Sequence, residues 1–264
     1  MNTMSYTGAY FAALGVLAVL GCIAWAYSLV RKDVSFVDSL WSLFFLVAAG
    51  VFAASAESIG FRGMLVLALV AVWALRLSLH ITVRNHGQGE DMRYQAIRAR
   101  RQPNFEFKSL YLVFGLQLVL AWIIAIPLLF AVRGDSAPGI FDALGVLLWI
   151  VGFVFEAGGD YQLTRFKANP DSAGKVMDQG FWRYTRHPNY FGDACVWWGF
   201  YLMSLSAGGW WTIYAPVLMT LLLLKVSGVA MLERTIGKRR PAYQEYIETT
   251  NAFIPGLPKT KGAD

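Results

Sequence analysis

The chain alternates between long apolar runs and short polar segments. The apolar runs cover about residues 8–29, 36–54, 61–83, 109–132, 139–158, 190–207 and 209–230. Most of them approach the length of about 20 residues that an α-helix needs to cross the hydrocarbon core of a bilayer. A segment in lipid can satisfy its own backbone hydrogen bonds only as a helix. The pattern therefore predicts an all-α, polytopic membrane protein with about seven transmembrane helices in one domain, 1–264.

Composition agrees with this interpretation. The 264 residues are 56% hydrophobic and 15% charged, whereas soluble domains carry about 25% charged residues. The mean hydropathy of the chain is +0.46. The two cysteines, Cys22 and Cys195, both fall in apolar runs, so we expect two buried side chains and no disulfide framework.

Lysine and arginine are concentrated in alternate polar segments. Of the 23 basic residues, 19 lie in the segments 30–35, 84–108, 159–189 and 231–264. These segments share one side of a seven-helix topology, and the positive-inside rule assigns that side to the cytoplasm. The N-terminus is then outside and the C-terminus is cytoplasmic. The net charge of +6 follows from this bias, so we expect no nucleic-acid partner.

Ionisable side chains in or beside apolar runs are candidates for function, because a bilayer tolerates them poorly. Asp38 lies near the start of the second run, and Arg76 and His80 lie four residues apart in the third, on one helix face. The alternative for Arg76 is that its charged end reaches the headgroups. The alternative for Asp38 is a structural ion pair with Arg31 or Lys32.

Two carboxylates mark the end of the fifth run. Glu156 and Asp160 lie four residues apart, so a helix would carry them on one face. Such a pair is repulsive unless cations or hydroxyl groups lie between the two side chains. The pair therefore suits a ligand rich in hydroxyl and amide groups, and Arg165 and Lys167 follow it closely along the chain.

Residues 180–193 form the densest cluster of polar and aromatic side chains. The cluster contains Arg183, Tyr184, Arg186, His187, Asn189, Tyr190 and Asp193. Pro188 fits the first turn of a helix, where its missing N–H costs nothing. The free N–H groups at such a helix end suit a phosphate, and arginine adds bidentate partners for it. The segment therefore predicts phosphate binding where the sixth helix begins.

The same segment resembles a known signature. Arg-His-Pro-Asn-Tyr-x-Gly-Asp (186–193) is similar to the C-terminal signature of membrane sterol reductases. Three further segments make the resemblance more specific. They are Trp-Trp-Gly (197–199), Gly-Glu-Asp-Met-Arg-Tyr (89–94) and Val-Asp-Ser-Leu-Trp (37–41). Together they resemble the bacterial branch of the steroid 5-alpha-reductase family, the 3-oxo-5-alpha-steroid 4-dehydrogenases. The most specific part of the match is roughly 150–258.

The resemblance implies a fold, a reaction and a location. It implies seven helices with NADPH held among the helices and cytoplasmic loops. Hydride would pass to the β carbon of a 3-oxo-4-ene steroid or a similar enone lipid. Residues 1–133 would supply the substrate side and residues 134–258 the cofactor side. The expected location is the inner membrane of a bacterium, in contact with membrane lipid, with the active site open to the cytoplasm.

The resemblance also implies a set of cofactor contacts. Asp160 and Asn189 match an aspartate and an asparagine of the family. Glu156, Lys167 and Asp193 stand where the family has asparagine, arginine and glutamate. The cations available to the phosphates, including the 2′-phosphate of NADPH, are Arg165, Lys167, Arg183 and Arg186. The expected cofactor-binding residues are Asn85, Glu156, Asp160, Arg165, Lys167, Tyr184, Arg186, His187, Asn189, Tyr190, Asp193 and Tyr246.

The catalytic pair of the family is only partly matched. Eukaryotic relatives use a glutamate in helix two and a tyrosine in helix three to polarise the substrate carbonyl. Asp38 stands for the glutamate, but the third run contains no tyrosine. We therefore hypothesise that Asp38, with Tyr94 or His80 nearby, faces the enone carbonyl. A protonated Asp38 would donate the hydrogen bond.

Two other functions fit parts of the sequence. A membrane methyltransferase that uses S-adenosylmethionine, acting on a prenylated cysteine or a phospholipid headgroup, shares the Arg-His-Pro-x-Tyr-x-Gly segment. Such enzymes carry paired glutamates after the last span, where this chain has Leu232-Glu233-Arg234. A seven-helix receptor or transporter would line a transmembrane path with its polar residues.

His80, His86 and His187 have no cysteine or carboxylate at ligand spacing, so we expect no metal site.

Overall fold

The computed structural model describes residues 4–226 and 242–259. Within these ranges every regular element is helical, which confirms the predicted all-α class. The helices are α1 (Tyr6–Arg31), α2 (Val37–Ala54), α3 (Phe61–Asn85), α4 (Met92–Arg100), α5 (Phe105–Ile124), α6 (Ile126–Arg133), α7 (Ile140–Ala168), α8 (Pro188–Leu205), α9 (Trp210–Lys225) and α10 (Ala242–Thr249). Two 3-10 turns, Pro170–Ser172 and Gly180–Arg183, lie between α7 and α8.

Five of the described helices are long and apolar enough to cross a membrane. They are α1, α2, α3, α5 and α7, and they correspond to the first five predicted runs. Helix α8 covers most of the sixth run but is not among these five helices, and its first turns carry the polar residues Asn189 and Asp193. Helix α9 begins the seventh run, whose end (227–230) and the segment Leu232–Arg234 lie outside the described ranges. The total of seven spans therefore stays a prediction.

The predicted fourth run, 109–132, is divided in the structure. Helix α5 ends at Ile124 and α6 begins at Ile126, with Pro127 in its first turn. Proline has no N–H to continue the hydrogen-bond ladder, and its ring crowds the preceding turn. The chain therefore starts a new helix there instead of extending α5.

The described chain forms two compact units. Unit one contains the residues up to Gly139 together with Ser204–Thr212, and unit two contains Ile140–Met203 and the residues from Ile213 onward. Each unit is treated by itself below.

Unit one is a bundle of apolar helices with large aromatic side chains in its core. Helices α2 and α3 pack closely, since Ser42 Oγ donates to the Ala74 carbonyl at 2.9 Å and the Phe45 and Trp73 rings lie 5.8 Å apart. Helix α1 buries one face, at positions spaced by three or four. Cys22 lies off this face and is exposed, so the prediction that it is buried was wrong, whereas Cys195 is buried as predicted.

Two buried arginines of unit one donate hydrogen bonds to main-chain carbonyl groups of several segments. The Arg133 guanidinium donates to the carbonyls of Met4, Ser5 and Ser55 at 2.5, 3.2 and 3.4 Å. Arg62, which is 2% exposed, donates to the carbonyls of Gly134 and Ala137 and to a serine hydroxyl. The C-terminal end of a helix leaves carbonyl groups without intrahelical partners. The two arginines satisfy two carbonyls at such ends, those of Ser55 after α2 and Gly134 after α6.

Unit two is organised by a seam of glycines between α7 and α8. Gly145, Gly152 and Gly159 repeat every seven residues along α7, which keeps them on one face. A Cβ atom on Gly152 would lie 2.5 Å from the Gly192 carbonyl oxygen, and one on Gly145 would lie 2.7 Å from that of Gly199. The two backbones are thus too close for any larger residue, which sets Glu156 and Asp160 of α7 against the start of α8.

Substitution in this seam should destabilise the protein. We expect Gly152→Ala and Gly192→Ala to cost about 1–3 kcal/mol each through overpacking, because the new methyl groups would meet backbone atoms at 2.4–2.5 Å. Gly50→Ala in α2 is the matched control, since a Cβ there meets nothing within 4 Å and alanine is the better helix former. Thermal unfolding in one detergent compares the three variants. Equal unfolding midpoints for Gly192→Ala and wild type would contradict the close packing of α7 against α8.

Candidate active site

Four polar side chains of unit one meet where α2, α4 and α5 come together. The Tyr94 hydroxyl donates to Asp38 Oδ1 at 2.6 Å, and Arg93 Nη2 donates to Asp38 Oδ2 at 2.7 Å. Gln117 Nε2 donates to the Tyr94 hydroxyl oxygen at 3.0 Å. We refer to Asp38, Arg93, Tyr94 and Gln117 as the Asp38 cluster. The side chain of Asp38 is 17% exposed, so the cluster lies beneath the surface without being sealed from it.

The local sequence before α4 fixes this geometry. Asp91 caps α4 by accepting a hydrogen bond from the Arg93 backbone N–H at 2.8 Å, which puts Arg93 and Tyr94 in the first helical turn. Glu90 accepts from the Val34 N–H at 3.1 Å and pairs with Arg98 at 2.7 Å. The loop before α4 is therefore held against the turn between α1 and α2, beside Asp38.

The surroundings of Tyr94 keep its hydroxyl protonated. Burial raises the pKa of Tyr94 well above its usual value, and the neighbouring Asp38 charge and hydrogen bond raise it further. Burial of Arg93 opposes its charge, but Asp91 and Asp38 outweigh this effect and raise its pKa. Burial also opposes the charge of Asp91, and the hydrogen bonds from Arg93 still hold the Asp91 pKa below its usual value. The cluster thus combines an ion pair with a neutral phenol donor.

The structure brings together two of the three predicted catalytic residues. Asp38 and Tyr94 share a hydrogen bond, whereas His80 lies half-buried on α3 and is not among the described hydrogen-bond partners of Asp38. The cation paired with Asp38 in the described chain is Arg93, rather than either basic residue of the 30–35 turn. Among the described residues, no group of His, Cys, Asp and Glu side chains could hold a metal ion.

In unit two, the predicted polar residues of α7 and α8 are neighbours. Asn189 Nδ2 donates to Asp160 Oδ1 at 3.0 Å. Glu156 and Asp160 are 3% and 7% exposed, and Asp193, one turn beyond Asn189, is 9% exposed. Gly192 lies against Glu156, since an added Cβ would come within 2.8 Å of the Glu156 Cβ. The close packing of the two helices therefore gathers carboxylate and amide groups at one point.

Arg186 and Tyr246 anchor the C-terminal segment, which we define as residues 242–259. The Arg186 guanidinium donates to the carbonyls of Ile247 and Thr250 at 2.9 and 2.5 Å, and its backbone N–H donates to the Asn251 carbonyl at 2.8 Å. The Tyr246 hydroxyl donates to the Trp182 carbonyl. Both side chains therefore join this segment to residues 182–187.

The remaining predicted cofactor residues occupy varied surroundings. His187 is buried and stacks on Tyr190, with ring centroids 5.5 Å apart and planes 8° apart. Tyr184 is 41% exposed, and Lys167 is exposed near the end of α7. Asn85 ends α3 in unit one, where its Oδ1 accepts from Arg84 Nε at 3.1 Å.

Two open clefts of about 770 and 740 Å³ lie beside the end of α7. Lys175 lines both clefts, Arg183 and Tyr246 line the first, and Arg165 lines the second. These volumes fall within the range of about 300–1,000 Å³ that is typical of small-molecule sites. The first cleft is also lined by Asp178 and Glu245, whereas the second has no acidic side chain in its lining. The cations of the second cleft therefore suit an anion such as a phosphate.

Gln117, Arg93 and Lys175 were not predicted from the sequence to be functional residues. Gln117 had a usable signal, because it is an amide inside the apolar run 109–132, where a polar side chain is expensive. Arg93 and Lys175 lie in polar segments with many other cations, so composition alone could not single them out.

The chain is similar in sequence to several known proteins. A protein of Schizosaccharomyces pombe described as uncharacterised is 25% identical over 289 residues, which cover 95% of this chain and 81% of that protein. The 3-oxo-5-alpha-steroid 4-dehydrogenase 1 of Mus musculus is 34% identical over 113 residues, 43% of this chain and 41% of that enzyme. The enzyme of the same name from Bos taurus is 30% identical over 66 residues, 25% and 26% of the two chains. The matches to the two dehydrogenases thus cover less than half of those enzymes.

No solved structure matches the chain. A family model described as "Protein of unknown function (DUF1295)" matches residues 24–250. The match includes α2 to α9, the Asp38 cluster and the polar residues of α7 and α8. Because it spans most of the 264 residues, the chain belongs to the DUF1295 family.

Proposed function

We propose that the protein reduces the carbon–carbon double bond of a 3-oxo-4-ene steroid or a similar enone lipid, with NADPH as the hydride donor. The similarity to 3-oxo-5-alpha-steroid 4-dehydrogenases suggests a steroid-reductase-like membrane enzyme. The observation that carries the proposal is the 2.6 Å hydrogen bond from Tyr94 to Asp38. It provides a protonated phenol, held by a carboxylate, next to apolar helices that suit a lipid substrate.

The proposed setting is a membrane with the basic segments on its cytoplasmic side. The N-terminus would be outside and the C-terminus and active site would face the cytoplasm of a bacterium, in its inner membrane. The concentration of 19 of 23 basic residues in four segments supports this orientation. Residues 1–133 would form the substrate side and residues 134–258 the cofactor side.

In this proposal, Tyr94 polarises the enone carbonyl. Bound NADPH would supply the hydride that adds to the β carbon. As negative charge develops on the carbonyl oxygen, the Tyr94 hydroxyl turns from Asp38 and donates to that oxygen, the kind of stabilisation that dominates many enzyme reactions. Asp38 orients the hydroxyl, and Arg93 holds Asp38. Both Asp38 oxygens already accept hydrogen bonds, from Arg93 and Tyr94, so we assign the donor role to Tyr94 rather than to Asp38.

The residues of unit two suit a phosphorylated dinucleotide. Asp160, Asn189 and Asp193 would bind the nicotinamide and ribose groups, which offer amide and hydroxyl donors. Arg165, Lys167, Lys175 and Arg183 would bind the phosphates; three of these line the clefts and Lys167 is exposed near them. Such charge-assisted bonds are about twice as strong as neutral ones.

Ligand-dependent stability should identify the cofactor. A ligand that binds only the folded protein stabilises it by about 2.7 kcal/mol at 100 times its dissociation constant. We expect NADPH to raise the unfolding midpoint of the detergent-purified protein, and S-adenosylmethionine to leave it unchanged. A shift with S-adenosylmethionine alone would instead support a methyltransferase.

A pair of arginine variants makes this test specific to the clefts. Arg165→Ala should weaken NADPH binding about tenfold through the loss of one charge-assisted hydrogen bond. Arg100→Ala on α4 removes another exposed arginine, which lines neither cleft, and this variant should bind NADPH as wild type does. Equal losses in both variants would contradict phosphate binding at the clefts.

Removal of the phenol hydroxyl should abolish most turnover. We expect Tyr94→Phe and Asp38→Asn to lower kcat for NADPH-dependent enone reduction about 100-fold, the scale of losing one preorganised donor. NADPH should still raise the unfolding midpoint of both variants. Tyr111→Phe, which changes a tyrosine of α5 that is 60% exposed, is the control. Wild-type kcat in Tyr94→Phe would rule out the assigned donor.

A further inference from the structure

Gln117 is a polar side chain in an apolar helix. It lies in α5, one of the helices that could cross a membrane, between Leu116 and Leu118. Its Nε2 donates to the Tyr94 hydroxyl oxygen at 3.0 Å and lies 3.4 Å from Asp38 Oδ1. Its Oε1 is buried and accepts no hydrogen bond from the described part of the chain.

The two ends of this amide have opposite effects on stability. A buried acceptor without a donor costs free energy, and that cost can cancel the gain from a hydrogen bond made by the same side chain. An apolar side chain of similar size would avoid the cost and suit an apolar helix better. Stability alone therefore does not explain a glutamine at this position, whereas the bond from Nε2 to the phenol does.

Gln117 and Asp38 contact the same phenol oxygen in different ways. Asp38 receives the Tyr94 hydrogen, while Gln117 donates to the Tyr94 oxygen. We propose that Gln117 is a positioning residue that fixes the Tyr94 oxygen and stabilises negative charge on it during proton donation. This inference rests on the proposed reductase function and adds to it a residue from a third helix.

Gln117 would assist the transfer of a proton from Tyr94 to the carbonyl oxygen of the substrate. Hydride addition to the β carbon moves the π electrons of the enone onto the carbonyl oxygen, and NADPH is the reductant in the proposed function. The Tyr94 O–H bond then breaks, its proton joins the carbonyl oxygen, and its electron pair stays on the phenol oxygen. The resulting enol takes up a proton at the α carbon and releases one from oxygen, which returns to Tyr94. One hydride and one α-carbon proton, drawn from solvent, are consumed overall.

Three groups act on the phenol oxygen as this charge develops. Asp38 of α2 is an anion and opposes the charge, whereas Arg93 of α4 and the Gln117 amide of α5 favour it. Loss of the Gln117 donor should therefore make ionisation of the phenol harder. The effect should appear in any measurement that follows this phenol, with or without turnover.

Gln117→Met is the first test, because methionine is close in size and suits an apolar helix. We expect kcat to fall about tenfold or more, as for the loss of a hydrogen bond made to developing charge. KM for NADPH should change less than about twofold, because the amide does not bind the cofactor in this proposal. The unfolding midpoint should stay the same or rise. Gln244→Met, which removes an exposed amide that donates to the Glu248 carboxylate of α10, should keep wild-type kcat.

Gln117→Glu distinguishes a donor from a side chain that only fills space. A protonated carboxyl group can donate to the phenol oxygen, and an ionised one cannot. The kcat of this variant, relative to wild type, should rise as the pH falls and drop as the carboxyl group ionises. A kcat ratio that is independent of pH would overturn the positioning role, as would wild-type kcat in Gln117→Met.

A measurement without substrate separates this inference from the proposed function. With 3-fluorotyrosine at position 94, the position of the fluorine resonance at neutral pH reports the hydrogen bonding of that phenol. Gln117→Met should shift this resonance, because it removes the donor to the phenol oxygen, and Gln244→Met should not. An unchanged resonance in Gln117→Met would overturn the inference even in an active reductase. A shifted resonance in a protein that does not reduce enones would retain the Gln117–Tyr94 interaction and reject the reductase function.

Discussion

Buried guanidinium groups need hydrogen-bond acceptors inside the protein, and much of this structure can be understood from how they find them. In unit one, Arg62 and Arg133 donate to carbonyl groups at and beyond helix ends. In unit two, Arg186 does the same for the end of α10. A charge that is removed from water without partners is very costly. The carbonyls that helix termini leave unsatisfied are therefore useful acceptors, and each arginine joins segments that are far apart in the chain.

Arg93 differs from these three arginines in the groups that accept its hydrogen bonds, and its acceptors include a residue of the candidate active site. Its guanidinium meets the carboxylates of Asp91 and Asp38 instead of carbonyl groups. A carbonyl partner would only hold the chain together, whereas a carboxylate can also orient a hydroxyl. Asp38 thus links a cation at the surface to the buried Tyr94 phenol. The geometry depends on the short loop before α4, where Glu90 and Asp91 fix the start of the helix.

The sequence was informative where a single local rule decides the outcome. Uncharged runs predicted the long helices, and the rule that ionisable groups in such runs are functional candidates selected Asp38, which the structure pairs with Tyr94. The division of the fourth run at Pro127 was missed because apolar composition continues through it. Arg186 looked like a phosphate ligand from its neighbours in the sequence. Its hydrogen bonds to Ile247 and Thr250 depend on tertiary contacts that no local pattern contains.

The joining of residues 182–187 to the C-terminal segment has a consequence for how the sequence can vary. The acceptors of the Arg186 side chain lie 61 and 64 positions further along the chain, and the first cleft is lined by residues from both regions. A change in one region alters the wall that the other region helps to form. Because these acceptors are main-chain carbonyls, side-chain substitutions near the C-terminus leave the acceptors in place. Loss of residues 242–259, in contrast, would remove the acceptors of a buried guanidinium group together with part of the wall of the first cleft.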